Sequence, residues 1–269
     1  MARKSSRRPE RKRKPDTESD PGIPPANNVR LNRFLAMSGV CSRRKADEMI
    51  TAGLVRINGN VVSQLGTRVS AGDKVVVNGR LISPTKHTHI LLNKPRDTIT
   101  TTSDDRGRAT VLDLVTIAGK EDMGLFPVGR LDRNTTGVLL ITNDGELANR
   151  LMHPRYEIEK LYVVRADRPV EEVDFERLRS GVDLDGELVQ ADQVTFADPA
   201  DRHIVGISLH EGRNRQIRRM MEALGYEVKK LERVRYAGLT TSRLRRGRWR
   251  TLEPFEVEGL YRKVKLKTK

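Results

Sequence analysis

Apolar periodicity in this chain begins only at Val29; residues 1–28 carry almost no large apolar side chain and predict a disordered basic tail. Leu31, Phe34 and Leu35, at i, i+3 and i+4, predict a short helix over 30–38 that breaks at Gly39. Ala46, Met49 and Ile50 form the stripe of a second helix over 43–52, with Ser42 as its N-cap. The period then becomes two. Val55 and Ile57, a turn at Asn58-Gly59, and Val61 read as a hairpin, and Lys74 to Val77 precede another turn at Asn78-Gly79. Residues 81–88 read as a linker.

A larger unit follows. Strands are predicted at His89–Asn93, Val138–Thr142 and Ile158–Arg165, with a helix over 145–152 that places Leu147 and Leu151 on one face. A helix near 170–180 and short strands to Phe196 come next. Val205, Ile207 and Leu209 alternate as a half-buried strand, and a helix over 214–224 ends at Gly225. There is no long internal repeat and no regular βαβ alternation, so the predicted class is α+β. The expected organisation is a tail over 1–28, a small helix-hairpin domain over 29–86, a larger domain over 87–260 and a basic tail over 261–269.

Composition sharpens this picture through the placement of charge. The formal net charge is +15 over 269 residues. Residues 1–14 contribute +7 and residues 261–269 contribute +5, which leaves only +3 for the body between. Basic arms flanking an ordinary folded body suit a polyanionic partner, though they also serve as solubilising tails. The single cysteine, Cys41, can form neither an internal disulfide nor a thiolate zinc cluster, and fits a reducing compartment. The basic N-terminus is not followed by an apolar h-region, and no apolar run is long enough to span a bilayer. A cytoplasmic protein without membrane contact is expected. The five histidines have no companion cysteine or spaced carboxylate cluster, so no metal site is expected, and no P-loop motif is present.

Four places could carry chemistry. In Gly129-Arg130-Leu131-Asp132-Arg133 a carboxylate lies between two arginines. Neighbouring cations favour the ionised form of an acid, which suits a nucleophile or electrostatic stabiliser rather than a general acid. Spacing alone favours a structural ion pair here, and a glycosidase would need a second carboxylate. On helix 214–224 the stripe Ile217, Met220, Met221 and Leu224 puts Arg215 and Arg219 on the opposite face and Arg218 at the border. A half-buried guanidinium requires a carboxylate partner, although Arg218 reads equally as an ordinary border arginine. Tyr162 follows Glu159-Lys160 in a strand, as a core or edge tyrosine or as a ring for stacking on an extruded base. Arg43, Arg44 and Lys45, at the start of the second helix, form a basic surface that reads as a phosphate contact or as a solvated face.

Two resemblances reweight these readings. Val29 to Ala36, Gly39 to Ala46 and Gly53 to Gly59 resemble the RNA-binding domain first known from a small-subunit ribosomal protein. Gly129 to Asp132, Thr135-Thr136-Gly137, Leu139 to Gly145, the pair Lys160 and Tyr162, and Glu211 to Met220 resemble the RsuA/RluB-type ribosomal RNA pseudouridine synthases, most closely the large-subunit RluB branch. His153-Pro154 and Asn93-Lys94-Pro95 also fit. The resemblance implies a catalytic domain built on a mixed, largely antiparallel sheet. It implies an isomerase that converts a uridine of ribosomal RNA, 23S or a large-subunit assembly intermediate, to pseudouridine in a monomer without cofactor or metal.

It further implies that Asp132 is the nucleophile, that Tyr162 stacks on the flipped uracil and is the candidate for proton transfer, and that Arg218 ion-pairs with Asp132 and holds it. RNA would be met by Arg30, Arg33, Arg43, Arg44, Lys45, Arg130, Lys160, Arg213 and Arg215. One departure stands out: Asp97 occupies the place, two residues after Lys94-Pro95, where the family usually has glycine, which leaves the shape of loop 95–104 open. The reading from another class is a non-catalytic RNA-binding factor of ribosome assembly.

Overall fold

The computed structural model describes residues 28–267, so the basic segment 1–27 and the last two residues lie outside the described residues. The N-terminal unit runs β1 (Val29–Arg30), α1 (Leu31–Met37), α2 (Arg43–Thr51), β2 (Val55–Ile57), β3 (Asn60–Val62), β4 (Arg68–Val69), β5 (Val75–Val77) and β6 (Arg80–Ile82). β1 pairs with β4, and the other four strands form an antiparallel sheet in the order β3-β2-β5-β6. Local chemistry sets these boundaries. Ser42 Oγ accepts from the Lys45 N–H and caps α2. Asn58-Gly59 and Asn78-Gly79 all take positive φ, as the tight turns of the two hairpins require. The apolar stripes of both helices close over Val55, Val69, Val75 and Val77, and Asn32 ties α1 to α2 by hydrogen bonding to Asp47 at 2.9 Å. The segment predicted as a linker begins two residues later than expected, because Leu81 and Ile82 pair with β5.

The second unit contains β7 (His89–Lys94), β8 (Phe126–Pro127), β9 (Thr136–Thr142), α3 (Gly145–Met152), β10 (Lys160–Ala166), α4 (Glu172–Ser180), β11 (Val182–Leu184), β12 (Glu187–Val189), β13 (Gln193–Phe196), β14 (Ile204–Leu209), α5 (Gln216–Ala223), β15 (Val228–Tyr236), β16 (Leu239–Thr240), β17 (Trp249–Thr251) and α6 (Pro254–Lys263). The main sheet has the order β13-β14-β10-β15-β9-β7-β17, with β16 on β15 and β8 on β9. Among the described residues every pair in it is antiparallel except β15 with β9. The α+β class and the largely antiparallel sheet predicted from the sequence are those found.

Apolar material covers both faces at the centre. Leu91 and Leu140 face α3 and α6, while their neighbours Ile90, Leu92, Leu139 and Ile141 face Val111 and Val115. This is why Val138 to Ile141 is continuously apolar rather than alternating. A third cluster joins α4, α5 and the strands from β10 to β15.

Two expectations are corrected. Residues 261–266 are not a free tail: α6 continues to Lys263, Val264 is fully buried, and Arg150 Nη1 donates to the Val264 and Lys265 carbonyls at 3.0 Å. Charge counting hides the apolar residues Tyr261, Val264 and Leu266, which alternate with the basic ones and pack on the core. The central strand β15 has no counterpart among the elements predicted from periodicity.

Candidate active site

Asp132 lies in the turn between β8 and β9, where its own carbonyl and the backbone of its neighbours are held by hydrogen bonds. Thr100 Oγ1 donates to the Leu131 carbonyl at 2.7 Å and accepts from the Leu131 N–H at 3.2 Å. Lys94, which is 0% exposed, aims Nζ at the carbonyl oxygens of Pro95, Asp132, Arg133 and Thr135, at 2.9 to 3.1 Å. Burial pushes the Lys94 ammonium down to about 8, against the opposing pull of the Asp132 and Asp97 carboxylates. The charge of a buried ammonium is met here by four carbonyl dipoles. Asp97, where the family pattern has glycine, adopts φ 58 and reaches Arg133 at 3.2 Å. Aspartate tolerates this left-handed position, so the turn survives the exchange.

The clamp leaves the Asp132 carboxylate without a hydrogen bond or ion pair among the described residues. Neither flanking arginine takes it: Arg130 is exposed and Arg133 is turned to Asp97. Half-buried Asp132 opens onto a cavity of about 850 Å³, also lined by Tyr162, Lys160, Arg130, Arg213, Arg215, Arg233 and Tyr236. Tyr162 comes from β10 and is half-buried, so the sheet brings the tyrosine to the carboxylate across 30 residues of sequence.

Arg218 corrects the expected ion pair. It is half-buried, as the helix phase predicts, but its Nη1 donates to the Val228 carbonyl at 2.9 Å and, among the described residues, no carboxylate lies within ion-pair distance. Burial, with Arg215 nearby, lowers its affinity for a proton, while Asp132 acts on it only through the field. The amphipathic phase of one helix fixes burial but not the distance to a loop elsewhere.

Other expected RNA contacts are also redistributed. Lys160 is half-buried and donates to the Ile158 and His210 carbonyls, at 3.0 and 2.6 Å. Its ammonium is pushed down to about 8 by burial and then by the charge of Arg233. Arg213 is ion-paired with Glu187 and Glu211, and Arg215, at the head of α5 with φ 49, lies 3.6 Å from Glu222. Arg30, Arg33, Arg43, Arg44 and Lys45 are exposed, Lys45 being bonded to Glu48 at 2.7 Å. Arg33 and Arg43 face a groove of about 1180 Å³ between the two units, opposite Arg150 and Arg155. Thr102 and Phe126 line both this groove and the Asp132 cavity, so the two adjoin. Among the described residues no three His, Cys, Asp or Glu side chains converge as a metal-ligand group.

Sequence reasoning misses two residues of the site. Lys94 stands out in the sequence only as part of a tripeptide, and Arg233 does not stand out. For Lys94 the only sequence signal is a charge at the end of an otherwise apolar segment, whereas Arg233 lies among other charged residues.

Comparison with known proteins agrees with this geometry. Residues 88–223 match the family model described as RNA pseudouridylate synthase, and residues 29–75 match the S4 domain. The chain is 42% identical to the ribosomal large subunit pseudouridine synthase B of Bacillus subtilis, over 86% of this chain and 95% of that one. It is 37% identical to the dual-specificity RNA pseudouridine synthase RluF of Escherichia coli, over 89% and 81%. A solved structure described as a pseudouridylate synthase superposes with a TM-score of 0.61 at 30% identity, covering 86% of this chain and 99% of that one. With an S4 domain ahead of a sheet that carries Asp132 and Tyr162 into one cavity, this chain belongs to the RNA pseudouridylate synthase family and is a pseudouridine synthase, an isomerase of RNA.

Proposed function

We propose that this enzyme isomerises a uridine of ribosomal RNA, in the large subunit or an assembly intermediate of it, with Asp132 as nucleophile. The observation that carries the assignment of Asp132 is its unpartnered carboxylate on a turn held by Lys94 and Thr100, in a cavity that Tyr162 also lines. A group already oriented has little left to reorganise at the moment of reaction. The ribosomal RNA substrate rests on the likeness to the ribosomal large subunit pseudouridine synthase B of Bacillus subtilis.

The target uridine must leave its stack to reach such a cavity, at a cost of a few kcal/mol in a duplex and less in a loop. Tyr162 then stacks on the base. The Asp132 carboxylate attacks C1′, the N1–C1′ bond breaks and its electron pair stays on the uracil ring. After rotation a C5–C1′ bond forms and releases the carboxylate; the C5 proton is lost and N1 gains one. Atoms and electrons balance within the nucleotide. Tyr162 is the candidate for moving the proton, and Arg218 stabilises the Asp132 charge through the field rather than by contact.

RNA is held along the groove between the two units by Arg33, Arg43 and Arg155. Residues 29–86 act as the RNA-docking domain and the rest of the described chain as the catalytic domain. No helix among the described residues is long and apolar enough to cross a membrane. We place the enzyme in the cytoplasm, acting as a monomer.

The test is pseudouridine mapping of ribosomal RNA from cells with and without the gene. One large-subunit uridine that is modified only when the gene is present supports the reading. Identical maps overturn the ribosomal substrate and favour a role in assembly or on another RNA.

A further inference from the structure

Arg233 stands on β15 directly opposite Tyr162 of β10. The register slips there: Leu161 faces Arg235 and Tyr162 faces Arg233, so Val234 is skipped as a β-bulge. Directly opposed residues project to the same face of a sheet. Both side chains accordingly line the Asp132 cavity. On the other side of β15, Gly137 lets β9 come in close. A Cβ there would stand 2.1 Å from the Arg233 carbonyl oxygen.

The Arg233 guanidinium is nearly sealed from water, at 2% exposure. Its Nε donates to the Val138 carbonyl at 2.9 Å, and its central carbon lies 4.6 Å from the centre of the Tyr236 ring. Its Nη2 is buried and has no hydrogen-bond partner, and among the described residues no carboxylate forms an ion pair with it. Lys160, in the same cavity wall, adds a second positive charge and no neutralisation. An arginine does not shed its proton to escape burial. A buried cation with an unpaired N–H is costly, and an apolar side chain of similar size would fill the space at less expense to stability. An unpaired donor on a residue that lines a substrate cavity is what a site selective for an acceptor leaves unsatisfied until its ligand arrives.

We propose that Arg233 contacts the extruded base, donating to a carbonyl oxygen of uracil and offsetting the negative charge that the ring acquires when the N1–C1′ bond breaks. This rests on reading the cavity as the uridine site. Arg233 and Tyr162 then form two walls of one base-binding slot, the tyrosine meeting the ring face and the arginine its edge. A fixed donor aimed at developing charge acts most strongly after bond cleavage, so its loss is felt in the chemical step more than in RNA binding.

The test uses the full-length protein and an RNA hairpin carrying its mapped target uridine. Arg233→Met is expected to slow single-turnover isomerisation on the order of 100-fold, as loss of one fixed donor does elsewhere, with RNA affinity unchanged. Replacing O2 or O4 of the target by sulfur is expected to slow the wild type at one of the two positions by roughly threefold or more, the worth of a weakened hydrogen bond. The same replacement should have no further effect in the variant. A merely structural arginine would not produce that coupling. If Arg233→Met does not fold, Arg233→Lys replaces it in the same comparison. Wild-type rates in the variant, equal sulfur effects in both proteins, or no sulfur effect in the wild type each overturn the proposal. A wild-type protein that forms no pseudouridine on ribosomal RNA overturns the site reading itself, a distinct result.

Discussion

The ammonium of Lys94 lies 3.0 Å from the backbone carbonyl oxygen of Asp132, and at 2.9 to 3.1 Å it also meets the carbonyls of Pro95, Arg133 and Thr135. One buried side chain thus fixes the turn that presents the proposed nucleophile. Lys94→Met leaves those carbonyls without their donor, at about 1–3 kcal/mol for each that stays buried. Loosening the turn by about 1 Å is expected to cost on the order of 100-fold in kcat. RNA affinity, measured by filter binding, should stay near the wild-type value, because Lys94 does not reach the surface.

The same contact predicts a pH dependence. Lys94 holds its proton below about 8 in the folded protein. Above that it loses the charge and one N–H, and the turn relaxes. The pH profile of kcat should fall on the alkaline side with a midpoint near 8, as read from single-turnover rates. Lys160 titrates in the same region, so a Lys160→Met variant that keeps the alkaline limb assigns it to Lys94. Global stability moves the other way. Between pH 8 and 10.5 the unfolded chain binds the Lys94 proton that the folded chain has released, so this group makes stability rise with pH across that window. Activity and melting temperature should therefore diverge there.

Gly137 is expected to tolerate no side chain. It has φ 105, and a Cβ would meet the Arg233 carbonyl oxygen at 2.1 Å and its nitrogen at 3.0 Å. Gly137→Ala must push apart the parallel pair β9 and β15, which carry the Asp132 turn and Arg233. A decrease of about 3 kcal/mol or more in urea unfolding is expected from backbone strain and overpacking together.

Arg33 and Arg43 face the groove from the S4 domain and have no ion-pair partner among the described residues. Replacing both by alanine should weaken RNA binding and lower the slope of log Kd against log salt by about 0.7 to 0.9 for each phosphate that is no longer neutralised. Single-turnover chemistry at saturating enzyme should be unaffected. An unchanged salt slope would take the RNA away from this groove.

The sequence is most legible where apolar periodicity is strong. β7, β9, α3 and both S4 helices follow from their side-chain patterns, and the two Asn-Gly turns follow from their dihedral needs. β15 is illegible because five of its nine residues are charged, and hydropathy cannot register a strand that buries an arginine. Val228, Leu231, Val234 and Tyr236, lying between Gly225 and the Ala237-Gly238 turn, are the available signal. Asp132 and Tyr162 come from motif, not period. The role of Lys94 follows from neither, since the turn it holds is 38 to 41 residues away. Arg218 shows the limit of phase arguments: its half-burial is predictable, its partner is not.

The role of Asp132 is tested most directly by the Asp132→Asn variant. It removes the nucleophile while leaving every backbone bond of the clamp available. Full-length variant and wild type are incubated with ribosomal RNA from cells lacking the gene, and pseudouridine is mapped at single-nucleotide resolution alongside RNA affinity. The variant is expected to bind RNA with wild-type affinity and to form no pseudouridine at the target. Pseudouridine formed by the variant at the wild-type rate would mean that Asp132 is not the nucleophile.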